Sequence, residues 1–180
     1  MNTESYINEM MADVRKKFRT LKLQMPSQDI MNAFTKVYRH YFTPTLYDEI
    51  DGKLTEKRMN YDNPPPELMK AVYTDTPLAV MIKNNEVIST SSQPFVMAMM
   101  LRDGFVSSGM KVLEIGTGSG YNAGIISRVT GSQDNVTTVE IHKEITEFAL
   151  KNFRRAGLDG IHAVTDDGGR GYARNAPYDS

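Results

Sequence analysis

Lys111-Val-Leu-Glu-Ile-Gly-Thr-Gly-Ser-Gly-Tyr121 decides the architecture. Val112, Leu113 and Ile115 form a short apolar run that suits a buried strand. The run breaks at Gly116, Gly118 and Gly120, and a helical pattern follows from Tyr121 to Arg128. A strand that ends in a glycine turn and feeds a helix opens an α/β fold of the nucleotide-binding type. Glycines let backbone pass close to a ligand where a Cβ would clash. The helix N-terminus offers unpaired N–H groups to an anionic part of that ligand. A dinucleotide fingerprint, G-x-G-x-x-G, requires glycine at position 121. Tyr121 stands there, which disfavours a nicotinamide dehydrogenase, and an acid, Glu114, precedes the first glycine. The plainer alternative is a tight turn with no ligand. Three alternating glycines after a buried strand argue against it.

Downstream, Asn135-Val-Thr-Thr-Val-Glu140 reads as a second strand ending in an acid. An acid there is placed to accept hydrogen bonds from ribose hydroxyls; a solvated strand-end carboxylate is the alternative. Residues 143–156 read as a helix with Ile145, Phe148, Ala149 and Phe153 inward, closed by Gly157. Ile161–Thr165 is a third strand that runs into Asp166-Asp167-Gly168-Gly169. Alternating strands and helices imply a parallel sheet that binds ligands at its carboxyl edge. Only three strands of such a sheet are encoded before Ser180. The glycine-bearing strand is therefore expected as an apolar sheet edge. The expectation is a C-terminally truncated chain, or a dimer or partner polypeptide that completes the sheet.

Upstream, Tyr6, Met10, Val14, Phe18 and Leu21 recur at helical spacing over residues 4–23, with Arg15-Lys16-Lys17 on the solvated face. Ser27 caps a second amphipathic helix carrying Ile30, Phe34, Val37 and Tyr41. Residues 42–66, with Pro44, Gly52 and Pro64-Pro65-Pro66, read as irregular. A short helix over Glu67–Val72, a strand over Leu78–Ile82 and a turn at Asn84-Asn85 before Val87-Ile88 follow. Ser89-Thr-Ser-Ser-Gln-Pro94 opens another helix, capped by Ser92 or Gln93, with Phe95, Val96, Met99 and Met100 on its apolar face. The methionines read as core filler and not as metal ligands, since no cysteine or histidine stands near them. Two regions result: a mostly helical N-terminal region, 1–88, with a proline-rich loop, and a Rossmann-like domain, 89–180.

Composition removes several classes. A net charge of −1 gives no reason to expect nucleic acid or an anionic membrane as partner. The absence of cysteine excludes disulfides, thiolate catalysis and cysteine-bound zinc. No apolar run approaches the ~20 residues that span a bilayer, and the polar N-terminus lacks a signal-peptide pattern. A cytoplasmic protein without a metal is expected. His40, His142 and His162 are scattered and receive no role.

With these residues in view, the chain resembles the protein-L-isoaspartate O-methyltransferases. Gly109-Met-Lys-Val-Leu-Glu-Ile-Gly-Thr-Gly-Ser-Gly-Tyr-Asn122 is similar to the family's form of motif I of class I S-adenosylmethionine-dependent methyltransferases. Arg39-His-Tyr-Phe-Thr-Pro44, Tyr73-Thr-Asp-Thr-Pro-Leu78, Thr90-Ser-Ser-Gln-Pro94 with Met97-Ala-Met-Met100, Asp167-Gly168 and Ala176-Pro-Tyr-Asp179 resemble its other segments in order. Two departures stand out. Glu86-Val-Ile-Ser precedes Thr90 where the family has a Gly-Gln turn, and Ser91 replaces an isoleucine.

The resemblance implies carboxyl methylation of L-isoaspartyl residues in damaged proteins or peptides, with S-adenosyl-L-methionine as cofactor. It implies that the Gly116–Gly120 loop, with Thr117 and Gly118, cradles the cofactor's methionine part, that Glu114 also belongs to the cofactor site and that Glu140 takes the ribose. Asp167 or Asp166, with Gly168, would read the adenine. Ser92, helped by Thr90 and Ser91, would hold the substrate carboxylate. A related enzyme that methylates aspartate in ribosomal peptides, and a non-catalytic cofactor-binding domain, are the alternatives. An isoaspartyl carboxylate has a pKa near ~3.5 and is ionised at neutral pH, so no general base is required.

Overall fold

A computed structural model of the protein describes residues 2–50 and 53–180. Helix α1 (Thr3–Thr20) starts where the Asn2 side chain accepts the Ser5 N–H. It buries Tyr6, Ile7, Met10, Met11, Val14 and Phe18 along one stripe. It stops short of the expected end because Lys22 turns left-handed, with φ +54°, which leaves Leu21 exposed. Helix α2 (Gln28–Lys36) is capped by Ser27, whose hydroxyl accepts the Ile30 N–H at 3.3 Å. Val37 is extended, so Tyr41 falls in a separate 3-10 turn over Arg39–Phe42 and not in α2.

Part of the segment expected to be irregular instead forms paired strands, while residues 59–65 are irregular as expected. Strands β1 (Thr45–Ile50) and β2 (Lys53–Arg58) pair antiparallel from Thr45 opposite Arg58 to Ile50 opposite Lys53. Gly52 lies outside the described residues. Helix α3 (Pro66–Val72) begins on the third proline, which suits a first helical position. Strands β3 (Leu78–Lys83) and β4 (Glu86–Ser91) form a second hairpin, turned by Asn84 and Asn85 at φ +51° and +66°. Asparagine tolerates this left-handed pair, which matches the twist of the strands. Strand β4 runs through Ser91, so Thr90 lies in a strand and not in a helix lead-in.

Helix α4 (Pro94–Asp103) starts after Gln93, whose side chain makes no cap. Asp75 supplies it from a distant turn, its Oδ1 accepting the Phe95 N–H at 2.8 Å. The buried face is Phe95, Met97, Ala98 and Leu101. Met100, expected in the core, is instead 54% exposed.

Strand β5 (Val112–Ile115), helix α5 (Tyr121–Thr130), strand β6 (Val136–Glu140), helix α6 (Lys143–Ala156) and strand β7 (His162–Thr165) make the parallel unit expected. The sheet order is β5-β6-β7, with Ile115 opposite Val139 and Glu140 opposite Thr165. The outer edge of β5 is not left bare. Asp179 N–H donates to the Lys111 carbonyl at 2.8 Å and Leu113 N–H to the Ser180 carbonyl at 2.9 Å. The last residues thus run beside the glycine-bearing strand, a correction to the exposed-edge expectation. One hydrophobic cluster joins α1 and α2 to α5, α6 and the sheet. Among the described residues no helix is long and apolar enough to cross a membrane.

Candidate active site

The glycine loop leaves the carboxyl end of β5 with Gly116, Gly118 and Gly120 all at positive φ, +90°, +53° and +84°. Each of these conformations is costly for a residue with a Cβ. Gly118 also lies under β4: a Cβ there would sit 3.2 Å from the Thr90 carbonyl oxygen. The strand that carries Thr90 and leads to Ser92 is therefore pressed against the loop. Tyr121 explains why a dinucleotide-type glycine is absent at its position. It opens α5 and is buried against Phe34 and Phe42, wedging the loop upward from the core.

A cleft of about 160 Å³ forms where these elements meet, lined by Thr90, Ser92, Met97, Met100, residues 114–119, Tyr121 and Asn122. It brings together Ser92, Thr90, Glu114, Gly116, Thr117 and Gly118 of the expected site. Ser92 and Thr90 are exposed, while Ser91 points into the interior. Gly120 does not line the cleft; it stands behind it, packed on Phe153.

Glu114 accepts hydrogen bonds from Asn122 Nδ2 at 2.7 Å and from the Thr138 hydroxyl, which in turn meets the Thr117 hydroxyl at 2.8 Å. Burial raises its pKa to about 7, the two hydrogen bonds oppose that rise, and the nearby Glu140 adds to it. Asn122 Oδ1 and the Tyr121 hydroxyl are buried and make no hydrogen bond to any described residue.

Glu140, at the end of β6, is nearly buried. Its two oxygens accept the Gly118 N–H at 3.3 Å and the His142 N–H at 3.2 Å. It joins the second strand to the glycine loop. Asp167 is exposed and binds its own turn through the Gly169 N–H at 3.0 Å. Gly168 lies so close to Ile115 that a Cβ would come within 2.5 Å of that side chain, so the turn after β7 folds back toward β5.

Sequence reading missed Asn122 and Asp75. Asn122 could have been found from helix geometry, since the first turn of α5 faces the end of β5. Asp75 carries no local signal, because its partners Lys17, Gln93 and Phe95 come from other elements. Of the histidines, His40 is buried against the Tyr73 hydroxyl at 2.8 Å, while His142 and His162 are exposed. Burial lowers the His40 pKa to about 4.

The model of the protein-L-isoaspartate(D-aspartate) O-methyltransferase family matches residues 54–180. The chain belongs to that family. A protein-L-isoaspartate O-methyltransferase of Methanococcoides burtonii is 34% identical over 161 residues, covering 89% of this chain and 66% of its own. One of Thermotoga maritima is 35% identical over 164 residues, covering 91% and 45%. A solved protein-L-isoaspartate O-methyltransferase superposes with a TM-score of 0.71 at 30% identity, over 96% of this chain and 45% of that one. A Plasmodium falciparum structure, titled as a putative protein-L-isoaspartate O-methyltransferase in complex with S-adenosyl-L-homocysteine, shares the fold at TM-score 0.57 and 19% identity. The chain thus spans between about half and two thirds of the length of these curated family members.

Within the family frame, the residues present fit a sulfonium nucleoside. Glu114 and the unpartnered Asn122 Oδ1 would offer acceptors to an ammonium group. The positive-φ glycines bare the backbone for a carboxylate. Glu140 stands at the next strand end for a diol.

Proposed function

We propose that the chain binds S-adenosyl-L-methionine and methylates the carboxylate of L-isoaspartyl residues in damaged proteins or peptides. One observation carries this reading: the exposed Ser92 and Thr90 share a single cleft with the glycine loop, because β4 is packed directly on Gly118. Acceptor-binding and cofactor-binding residues therefore face one space. When bound, the cofactor supplies an electrophilic methyl group on a cationic sulfur.

The work left to the chain is placement. Glu114 and Asn122 hold the amino-acid end and Glu140 the ribose. The Ser92 hydroxyl donates to one oxygen of the substrate carboxylate and leaves the other free to attack. That carboxylate is already anionic, so no proton needs removing; the cleft lining contains no histidine among the described residues. Met97 and Met100 line the same space and limit water around the anion. Orientation of this kind supplies much of the acceleration in a bimolecular transfer. The methyl ester closes to a succinimide when a backbone nitrogen attacks the ester carbonyl and methanol leaves. Hydrolysis of the ring returns part of the material as normal aspartate. A cytoplasmic location, with damaged protein and no nucleic acid as partner, goes with this reading and with the near-zero net charge.

Ser92→Ala tests it. Ser92 is exposed and caps nothing, so stability should change by less than about 0.5 kcal/mol. Loss of a hydrogen bond to a charged group is worth about 1.5–3 kcal/mol, so kcat/KM for an isoaspartyl peptide should fall by about 10- to 100-fold. The Kd for S-adenosylhomocysteine should not move. Unchanged kcat/KM would remove Ser92 from substrate recognition.

Glu114 gives a pH signature of two opposite signs. Its folded pKa is raised from 4.5 to about 7. The associated stability is full below the lower value and lost as pH rises through the higher one. Without cofactor, stability should decline between about pH 4.5 and 7, by an amount on the order of 3 kcal/mol. Cofactor affinity should rise over the same interval, since only the ionised carboxylate attracts an ammonium group. Glu114→Gln should flatten both profiles, as read by chemical unfolding and calorimetric titration. Parallel profiles in the wild type and the variant would assign the titration elsewhere.

A further inference from the structure

We infer that Arg39 is a positioning residue for the transfer, fixing the backbone of Ser91 and Ser92 and so the point from which Ser92 meets its substrate. This rests on the function proposed above. Arg39 opens the 3-10 turn that follows α2 and is fully buried. Its two terminal nitrogens donate only to backbone carbonyl oxygens, while Nε is buried and has no hydrogen-bond partner among the described residues. Nη1 donates to Val72 at 3.0 Å and Thr74 at 2.8 Å; Nη2 donates to Thr76 at 2.9 Å, Ser91 at 3.4 Å and Ser92 at 3.0 Å.

A buried cation is expensive unless well partnered, and burial does lower the pKa of this one. Carbonyl dipoles compensate it less well than a carboxylate would. What they supply is geometry, since a rigid planar fork reaches several fixed acceptors at once. The carbonyls come from two stretches, 72–76 and 91–92, which this side chain's fork ties together beside the Leu78–Ser91 pairing of β3 and β4.

The orientation of the serine pair makes the geometry matter. Ser91 is 1% exposed and Ser92 is exposed. In an extended segment neighbouring side chains point to opposite sides, so a slip by one residue exchanges them. Arg39 holds both carbonyls and sets the rotation that turns Ser92, and not Ser91, to the cleft. Asp75 fastens the far side of the segment, accepting from Gln93 Nε2 at 3.3 Å and Phe95 N–H at 2.8 Å. The guanidinium carbon also lies 5.7 Å from the Tyr121 ring, which ties the clamp to the helix behind the glycine loop.

Arg39→Lys keeps the charge and loses the fork. Val14→Ala, which removes fully buried methyl groups in α1, serves as a comparison for general destabilisation. Arg39→Lys should lower kcat/KM for an isoaspartyl peptide by more than 10-fold while the Kd for S-adenosylhomocysteine stays within about twofold. Amide exchange over residues 89–95 should accelerate by more than 10-fold relative to residues 143–156. Val14→Ala should do neither. Arg39→Gln, which is uncharged, takes the place of the lysine variant should that one not fold. If exchange over 89–95 rises no more in the Arg39 variant than in Val14→Ala, the positioning role is wrong. If the wild-type protein leaves the peptide unmethylated, the functional reading fails, and the exchange comparison still decides whether Arg39 fixes the segment.

Discussion

Gly120→Ala should destabilise the chain by about 2–5 kcal/mol. Two costs add. Gly120 has φ +84°, and a left-handed conformation costs a residue with a Cβ about 1–2 kcal/mol. The added carbon would also stand 2.7 and 2.8 Å from two ring atoms of Phe153. That ring cannot retreat freely, being 1% exposed and set edge-on to Phe42 at 6.3 Å between centroids. Overpacking a filled core costs about 1–3 kcal/mol. Gly116→Ala makes the control: φ is +90° but no atom lies within 4 Å of the added carbon, so only the conformational cost of about 1–2 kcal/mol remains. Urea unfolding separates the two variants. Equal losses would mean that Phe153 does not support the loop.

Glu140→Ala should weaken S-adenosylhomocysteine binding by about 100-fold, and Glu140→Gln by about 10-fold. A hydrogen bond to a charged acceptor is worth about 1.5–3 kcal/mol, and about 1.4 kcal/mol is tenfold in Kd. Glutamine keeps one acceptor oxygen, which explains the smaller loss. The carboxylate also holds the Gly118 and His142 N–H groups, so the alanine variant loosens the loop as well. Calorimetric titration reads both. Wild-type affinity in Glu140→Gln would shift the ribose contact to the turn after β7.

Much of this was legible in the sequence. The α/β unit was, because each signal is local: the apolar run at 112–115, the glycines after it, the acid ending the next strand and the helix closed by Gly157. The residues proposed to hold the cofactor lie mostly in the same stretch, and the structure places Glu114, Gly116, Thr117 and Gly118 around one cleft. What was not legible depends on distant partners. The β1–β2 hairpin carries few apolar residues, its second strand reading Lys-Leu-Thr-Glu-Lys-Arg, so no hydrophobic alternation marks it. The Asp51-Gly52 dipeptide between its strands was the available signal. Met100 falls outside the core because the seven successive apolar residues Phe95–Leu101 leave the phase of the helix open, and only packing against α1 and α2 selects Met97 and Leu101 as the inner side. Ser92 is proposed by resemblance, and the structure sets it in the cleft. Its support from Arg39, 53 positions earlier, was not legible, since nothing near an arginine in sequence says that its partners are carbonyls.

The most direct test of the account offers the protein labelled S-adenosylmethionine and two synthetic peptides that differ only in one isoaspartyl or aspartyl linkage. Label should pass to the isoaspartyl peptide alone and leave as methanol when the ester closes to succinimide. Label on the aspartyl twin, or none on either peptide while cofactor binding is intact, would contradict it.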